Sequence, residues 1–325
     1  MPDSQVREHT ISTNGVDLHL VEAGTEGPVV LLAHGFPELA YSWRHQLPAL
    51  ADAGYRVVAP DQRGYGRSSR PDDLEAYDIH HLTGDLVGVL DDLGEERAVV
   101  VGHDWGSMVV SHLALLHPER VRALVNMSVP HLPRGGIEPI TAMRNAMGDN
   151  FFYILYFQEP GVADAELGGD PARTMRRLLA GAALRPEAPP DPGMFAPDGR
   201  GFIDRLPEPD GLPAWLTPAE LDHYIAEFTR TGFTGGLNWY RNIDRNWATT
   251  PQLAEAKVSV PSLFVGGALD PVLVMSPPAT GHSALTDHRG DVLVEGAGHW
   301  VQQEKPDEVN AALVGFLDDL DRGRS

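Results

Sequence analysis

Ala98-Val99-Val100-Val101-Gly102-His103-Asp104-Trp105-Gly106-Ser107-Met108-Val109-Val110-Ser111 passes from one backbone regime to another within a few residues. Its opening run is apolar and β-branched, the pattern of a strand buried on both faces. It continues with small and apolar residues recurring at helical spacing through Leu116. Between the two, Gly102, Asp104 and Gly106 stand in Gly-x-Asp-x-Gly order. A sharp strand-to-helix turn needs small residues on either side of its apex, because the apex backbone is strained and close to its neighbours. Such a turn lifts the Asp104 side chain off the top of a sheet, beside the first amides of a helix.

Working outward, Val6 to Thr13 and Val16 to Glu22 alternate and meet at Asn14-Gly15, the strongest short hairpin signal. Pro28 to Ala33 and Tyr55 to Ala59 read as buried strands, the first ending in His34-Gly35-Phe36-Pro37. Helices are expected over Tyr41 to Ala53 and Ile79 to Leu93, and a further strand over Arg120 to Ser128. The glycine-rich loop from Asp61 to Ser69 lacks the third glycine and the following helix of a dinucleotide fingerprint. Strands alternating with helices predict a doubly wound, mostly parallel sheet. From Pro130 to Ala248 the alternation stops, and amphipathic helix candidates replace the strands. Thr217-Pro218-Ala219-Glu220 is a capping box with proline at the first helical position, closed by Gly232. Pro186 to Pro213 reads as a long ordered loop. Strands resume over Ser259 to Gly266 and Asp291 to Glu295, before a helix from Pro306 to Leu320. The expected organisation is thus a core in two parts, 1–129 and 249–325, with a helical lid, 130–248, inserted after the sixth strand.

Two further residues complete a constellation. Asp270 follows the buried run that ends at Gly266, and His299 follows the next strand in Gly296-Ala297-Gly298-His299-Trp300. Loops at the carboxyl ends of parallel strands are where α/β sheets carry their sites. Asp104, Asp270 and His299 therefore stand in nucleophile, acid, histidine order.

With these motifs in view, the chain resembles the epoxide hydrolases of the α/β-hydrolase fold over nearly its whole length. The resemblance rests on His34-Gly35-Phe36-Pro37-Glu38, Arg63-Gly64-Tyr65-Gly66, Gly102-His103-Asp104-Trp105-Gly106 and Gly298-His299-Trp300. More specific are two motifs in the helical region, Tyr153-Ile154-Leu155-Tyr156-Phe157-Gln158-Glu159-Pro160-Gly161 and Leu237-Asn238-Trp239-Tyr240-Arg241-Asn242. It implies that Asp104 attacks the epoxide carbon to form an ester, which a water activated by His299 and Asp270 then hydrolyses to the vicinal diol. It assigns proton donation to Tyr153 and Tyr240, and the oxyanion-binding amides to Phe36 and Trp105. Phe36, Trp105 and Trp239 would wall the substrate pocket, Tyr156 would pack, and the Phe36–Pro37 bond would be cis. A carboxylate with a reference pKa of about 3.9 needs no base to act as nucleophile, and a phenol of about 10 stays protonated as a donor.

The nearest rival is a haloalkane or haloacid dehalogenase, which uses the same Asp-His-Asp chemistry. Against it, Phe36 replaces the asparagine or glutamate usual there, position 105 is not arginine, and halide release gives paired tyrosines no role. A serine esterase is disfavoured because Ser107 lies within the helix, and a non-catalytic relative because no member of the constellation is missing. The net charge of −21 argues against nucleic acid and anionic membranes as partners. No run is apolar for long enough to span a bilayer, and the N-terminal residues are polar. With no cysteine, disulfide and thiolate chemistry are excluded, which fits the cytoplasm. Arginine greatly outnumbers lysine, present only as Lys257 and Lys305, a hint of a G+C-rich bacterial source. The sequon Asn126-Met127-Ser128 falls in a strand-like run and is discounted. No cofactor and no metal is expected, since His80, His81, His282 and His288 lack ligand spacing. The implied partner is a small hydrophobic epoxide, bound by a monomer or homodimer.

Overall fold

The computed structural model describes residues 6–181 and 193–322. Eight strands form one sheet: β1 (Arg7–Thr13), β2 (Val16–Ala23), β3 (Val29–Ala33), β4 (Arg56–Pro60), β5 (Ala98–His103), β6 (Val121–Met127), β7 (Val258–Gly267) and β8 (Leu285–Val294). Their order is β1-β2-β4-β3-β5-β6-β7-β8. From β4 to β8 all pairings are parallel, while β2 runs antiparallel to both β1 and β4. This is the α/β-hydrolase architecture. The hairpin turns at Asn14 and Gly15, both with positive φ, a conformation that the short asparagine side chain and glycine tolerate.

Alternation along the central strands divides the core between the sheet's two faces. Leu31, Val58, Val100 and Leu124 pack with helices Ile79–Leu93 and Trp105–Leu116 on one face. Val30, Leu32, Val57, Val99, Val101 and Val125 pack with helices Gln46–Asp52 and Pro306–Arg322 on the other. Each central strand is therefore apolar throughout, as in sheets covered on both sides.

Between β6 and β7 the described regular elements are all helical, from Pro139–Met147 to Ile243–Thr249. The capping box forms: Thr217 N donates to Glu220 Oε2 at 2.7 Å, and Glu220 N donates to Thr217 Oγ1 at 3.3 Å. Gly232 ends that helix with φ 68°.

Two expectations are corrected. The helix expected over Tyr41 to Ala53 divides into a 3-10 turn, Ala40–Trp43, and a helix from Gln46. Pro48 is tolerated only in a first turn, because its ring would clash with the carbonyl four residues back. The strand expected from Asp291 begins at Leu285 and ends at Val294; it lies at the sheet's edge, so polar Thr286 to Arg289 sit there without an apolar signature. Of the loop from Pro186 to Pro213, residues 186–192 lie outside the described residues. The described part holds a 3-10 turn, Ile203–Arg205, beside the buried Arg205, whose guanidinium donates to Gly193 O at 2.6 Å and Asp198 Oδ1 at 2.7 Å. Among the described residues no helix is long and apolar enough to cross a membrane.

Candidate active site

β5 ends at His103, and the next residue, Asp104, has φ 52° and ψ −119°. That strain is local and severe for a residue with a side chain. The neighbouring glycines make it sterically feasible: a Cβ on Gly102 would strike the Gly106 carbonyl, and one on Gly106 the Ala33 carbonyl. The bend is also tied down, since Asp104 N donates to Met127 O at 3.1 Å. Helix Trp105–Leu116 starts directly after it.

The loop after β3 supplies the first contact. Phe36 N donates to Asp104 Oδ1 at 2.8 Å. The Phe36–Pro37 bond is cis. Trp105 N heads the helix, where the first amides have no intrahelical acceptor. Oδ1 thus lies toward the Phe36 amide, and Oδ2 faces the histidine: His299 Nε2 is 3.5 Å from it. On the far side of the ring His299 Nδ1 is 2.9 Å from Asp270 Oδ2. Asp270 and His299 come from the loops after β7 and β8. Burial penalises the imidazolium of His299. The Asp270 charge, with hydrogen bonds to Asp104 and Asp270, outweighs that penalty and raises its pKa well above the usual value.

The helical segment faces this group with aromatic rings. Tyr240 lies edge-on to Trp105 at 5.1 Å and to Phe36 at 5.4 Å between centroids. Tyr153 lies 6.0 Å from Tyr240 and stacks on Phe202 at 5.3 Å. Burial, and then the negative charge of Asp104, push both phenols above their usual pKa. Both stay protonated at neutral pH. Tyr156 instead packs on Phe151, with ring centroids 5.4 Å apart, and burial and the Glu166 carboxylate raise its pKa. Trp239 is fully buried behind Trp105, with its indole N–H donating to Arg63 O at 3.1 Å. It backs the wall rather than forming its surface. Asn126 is buried and donates to Ser111 Oγ at 2.8 Å, so the sequon is no acceptor surface.

A buried layer beneath the site carried no role in the sequence reading. His103 Nδ1 lies 2.6 Å from Glu38 Oε2, and its Nε2 lies 2.7 Å from the carbonyl of His299. Ser128 Oγ donates to that same carbonyl at 2.7 Å. Glu38 also accepts from Gly35 N and Gln302 Nε2, both at 2.9 Å. Burial would raise the Glu38 pKa, but the His103 ring, then the His34 ring and the Gly35 amide, outweigh it and hold the carboxyl at about 2. The layer fixes the backbone of His299 and the loop bearing Phe36. Its only sequence signal was that Glu38 and His103 sit inside the quoted motifs. Phe202 was missed altogether, because a loop rich in proline and glycine gives no periodicity to read.

Comparison with known proteins settles the family. Residues 28–306 match the family model described as alpha/beta hydrolase fold. Epoxide hydrolase A of Mycobacterium tuberculosis is 63% identical over 97% of this chain and 98% of its own length. The chain belongs to the epoxide hydrolases of the α/β-hydrolase fold. The bifunctional epoxide hydrolase 2 of Mus musculus is 40% identical over 93% of the chain, which covers 54% of that longer protein. Among solved structures, epoxide hydrolase A from Mycobacterium thermoresistibile superposes with a TM-score of 0.92 at 61% identity, covering 97% of this chain and 98% of its own. An epoxide hydrolase from an endophytic Streptomyces gives 0.94 at 45% identity, covering 98% and 97%.

Proposed function

We propose that this epoxide hydrolase converts a small hydrophobic epoxide and water to a vicinal diol through an ester on Asp104. The observation that carries the reading is the division of labour around that carboxylate: one oxygen bound by the Phe36 amide at 2.8 Å, the other facing His299 at 3.5 Å. Asp104 Oδ2 attacks an epoxide carbon; the carbon–oxygen bond of the ring breaks, and its electron pair passes to the ring oxygen. Tyr153 and Tyr240 hydrogen-bond to that oxygen as it gains charge, and one gives it a proton. In the resting enzyme the two carboxylates flanking His299 keep a proton on the imidazole. Esterification neutralises one of them, so the proton leaves and restores the phenol. Neutral His299, oriented by Asp270, then takes a proton from water, and hydroxide adds to the ester carbonyl. The oxyanion forms on Oδ1, against the Phe36 and Trp105 amides; losing one such donor typically costs about 10²–10³ in rate. Collapse expels the diol, whose alkoxide takes the proton of the new Asp104 carboxyl, and the resting charge state returns.

In this reading the helical segment 130–248 is a lid over the core parts 1–129 and 249–325, and it supplies the proton donors. Phe36 and Trp105 offer apolar wall to the substrate, with Trp239 behind them. No cofactor enters the scheme, and the cytoplasm is the proposed compartment. The test is a single turnover of a styrene-oxide-type substrate in H₂¹⁸O. Label is expected first in the Asp104 carboxylate; label appearing directly in the diol would overturn the ester route.

A further inference from the structure

Sequence spacing gave no reason to join His282 and His288, but the fold brings them together with Asp291. We propose that these three side chains bind one late first-row divalent cation of the zinc class at the open edge of the sheet. β8 is an edge strand, paired only with β7. In that pairing His288 lies opposite Ser262 and Asp291 opposite Phe264, so Arg289 and Gly290 of β8 stand against the single Leu263 of β7. The extra residue is accommodated at Gly290, whose φ of 135° is closed to ordinary side chains. In an unbroken strand residues three apart project to opposite faces. The bulge reverses that and turns His288 and Asp291 to the same side. His282 arrives from the turn His282–Ala284 ahead of the strand, with its ring centroid 4.4 Å from that of His288.

The donor atoms converge. His282 Nε2 lies 3.1 Å from Asp291 Oδ2, and His288 Nε2 lies 2.9 Å from Asp291 Oδ1. One donor atom from each residue falls within a mutual span of 4.8 Å. Tetrahedral zinc with bonds of about 2.0–2.1 Å sets its ligands roughly 3.3 Å apart, so small side-chain shifts admit the ion. Two imidazoles and one carboxylate suit zinc, copper or nickel better than magnesium or calcium, which prefer oxygen-rich shells. Ser262 Oγ stands 3.3 Å from His288 Nδ1 and occupies the ring nitrogen that the ion does not need. His282 and Asp291 keep side-chain exposures of 38% and 28%, which leaves an entry path and a fourth position for water. The bound ion would clip the turn that follows the Asp270 loop to β8, without touching the reacting atoms.

The test uses the full chain without a histidine tag, treated with chelator and titrated calorimetrically with zinc chloride near neutral pH. Saturable binding of one zinc per chain is expected, with a rise in the thermal midpoint. His288→Ala and Asp291→Asn should each weaken binding about tenfold or more and abolish the thermal shift. Both should hydrolyse epoxide at the unaltered rate in metal-free buffer, which shows that they are folded. His282→Ala, at the most exposed of the three positions, repeats the test with the least risk to folding. Absence of saturable binding to the unaltered chain, or unchanged binding in all three variants, overturns the proposal.

Discussion

Asp104, Asp270 and His299 are held by backbone geometry and charge, whereas Tyr153 and Tyr240 are held by rings packed against rings. On the core side each side chain leaves the end of a strand, and hydrogen bonds to Met127 O, Phe36 N and the His299 carbonyl fix the loops. On the helical side Tyr153 opens a helix of four residues and leans on Phe157 and Phe202. Hydrogen bonds are directional, and errors in them are costly inside a protein. Ring contacts tolerate adjustment. In the proposed mechanism the core thus supplies charges at fixed positions, and the helical side supplies the proton donors.

Removing a charge from the rigid side should produce the largest effect. Asp104→Ala is expected to lower kcat by about 10⁴-fold or more, as loss of a triad member does elsewhere. His299→Gln should leave ester formation running while hydrolysis stalls, so rapid-quench mass spectrometry should find the substrate's mass added to the protein. If no adduct accumulates, the two half-reactions are not separated as proposed. The double variant Tyr153→Phe, Tyr240→Phe should slow ring opening by about 10²–10⁴-fold, the usual range for positioned acid catalysis. A double variant that opens epoxides normally removes the tyrosines from the mechanism.

The buried layer sharpens the contrast through stability. The Glu38 carboxyl is held at about 2, against an ordinary value of 4.5. Its folded pKa is depressed, so its contribution is complete above the unfolded value and is lost as pH falls from about 4.5 toward 2. Across that range unfolding takes up a proton, so stability falls as pH falls. Glu38→Gln should flatten this acid limb in urea titrations, and cost about 3–5 kcal/mol at neutral pH by stripping the His103 ring of its partner. The smallest expected effect comes from the packed side. Phe202→Ala removes the ring stacked on Tyr153 and should change kcat/KM only about three- to tenfold, varying with substrate. An equal loss for every substrate would mean that Tyr153 is positioned more rigidly than its contacts suggest.

Strand order along the chain, the hairpin at Asn14-Gly15, the bend at Asp104 and the capping box at Thr217 were legible because each depends on a few adjacent residues. Backbone sterics and local hydrogen bonds act over that range, and so a sequence displays them. The order of Asp104, Asp270 and His299 was legible for a related reason, since each follows a buried strand. The Glu38–His103 layer, the stacking of Phe202 on Tyr153 and the convergence of His282 and His288 on Asp291 were not. Each joins residues whose proximity depends on strand pairing, on the path of an irregular loop or on one bulge at Gly290. The amino-acid sequence alone determined which groups could react and on which kind of element they stand. Only the tertiary structure decided which buried charges support them and which distant rings meet, because those contacts are made between elements and leave no periodicity within any one of them.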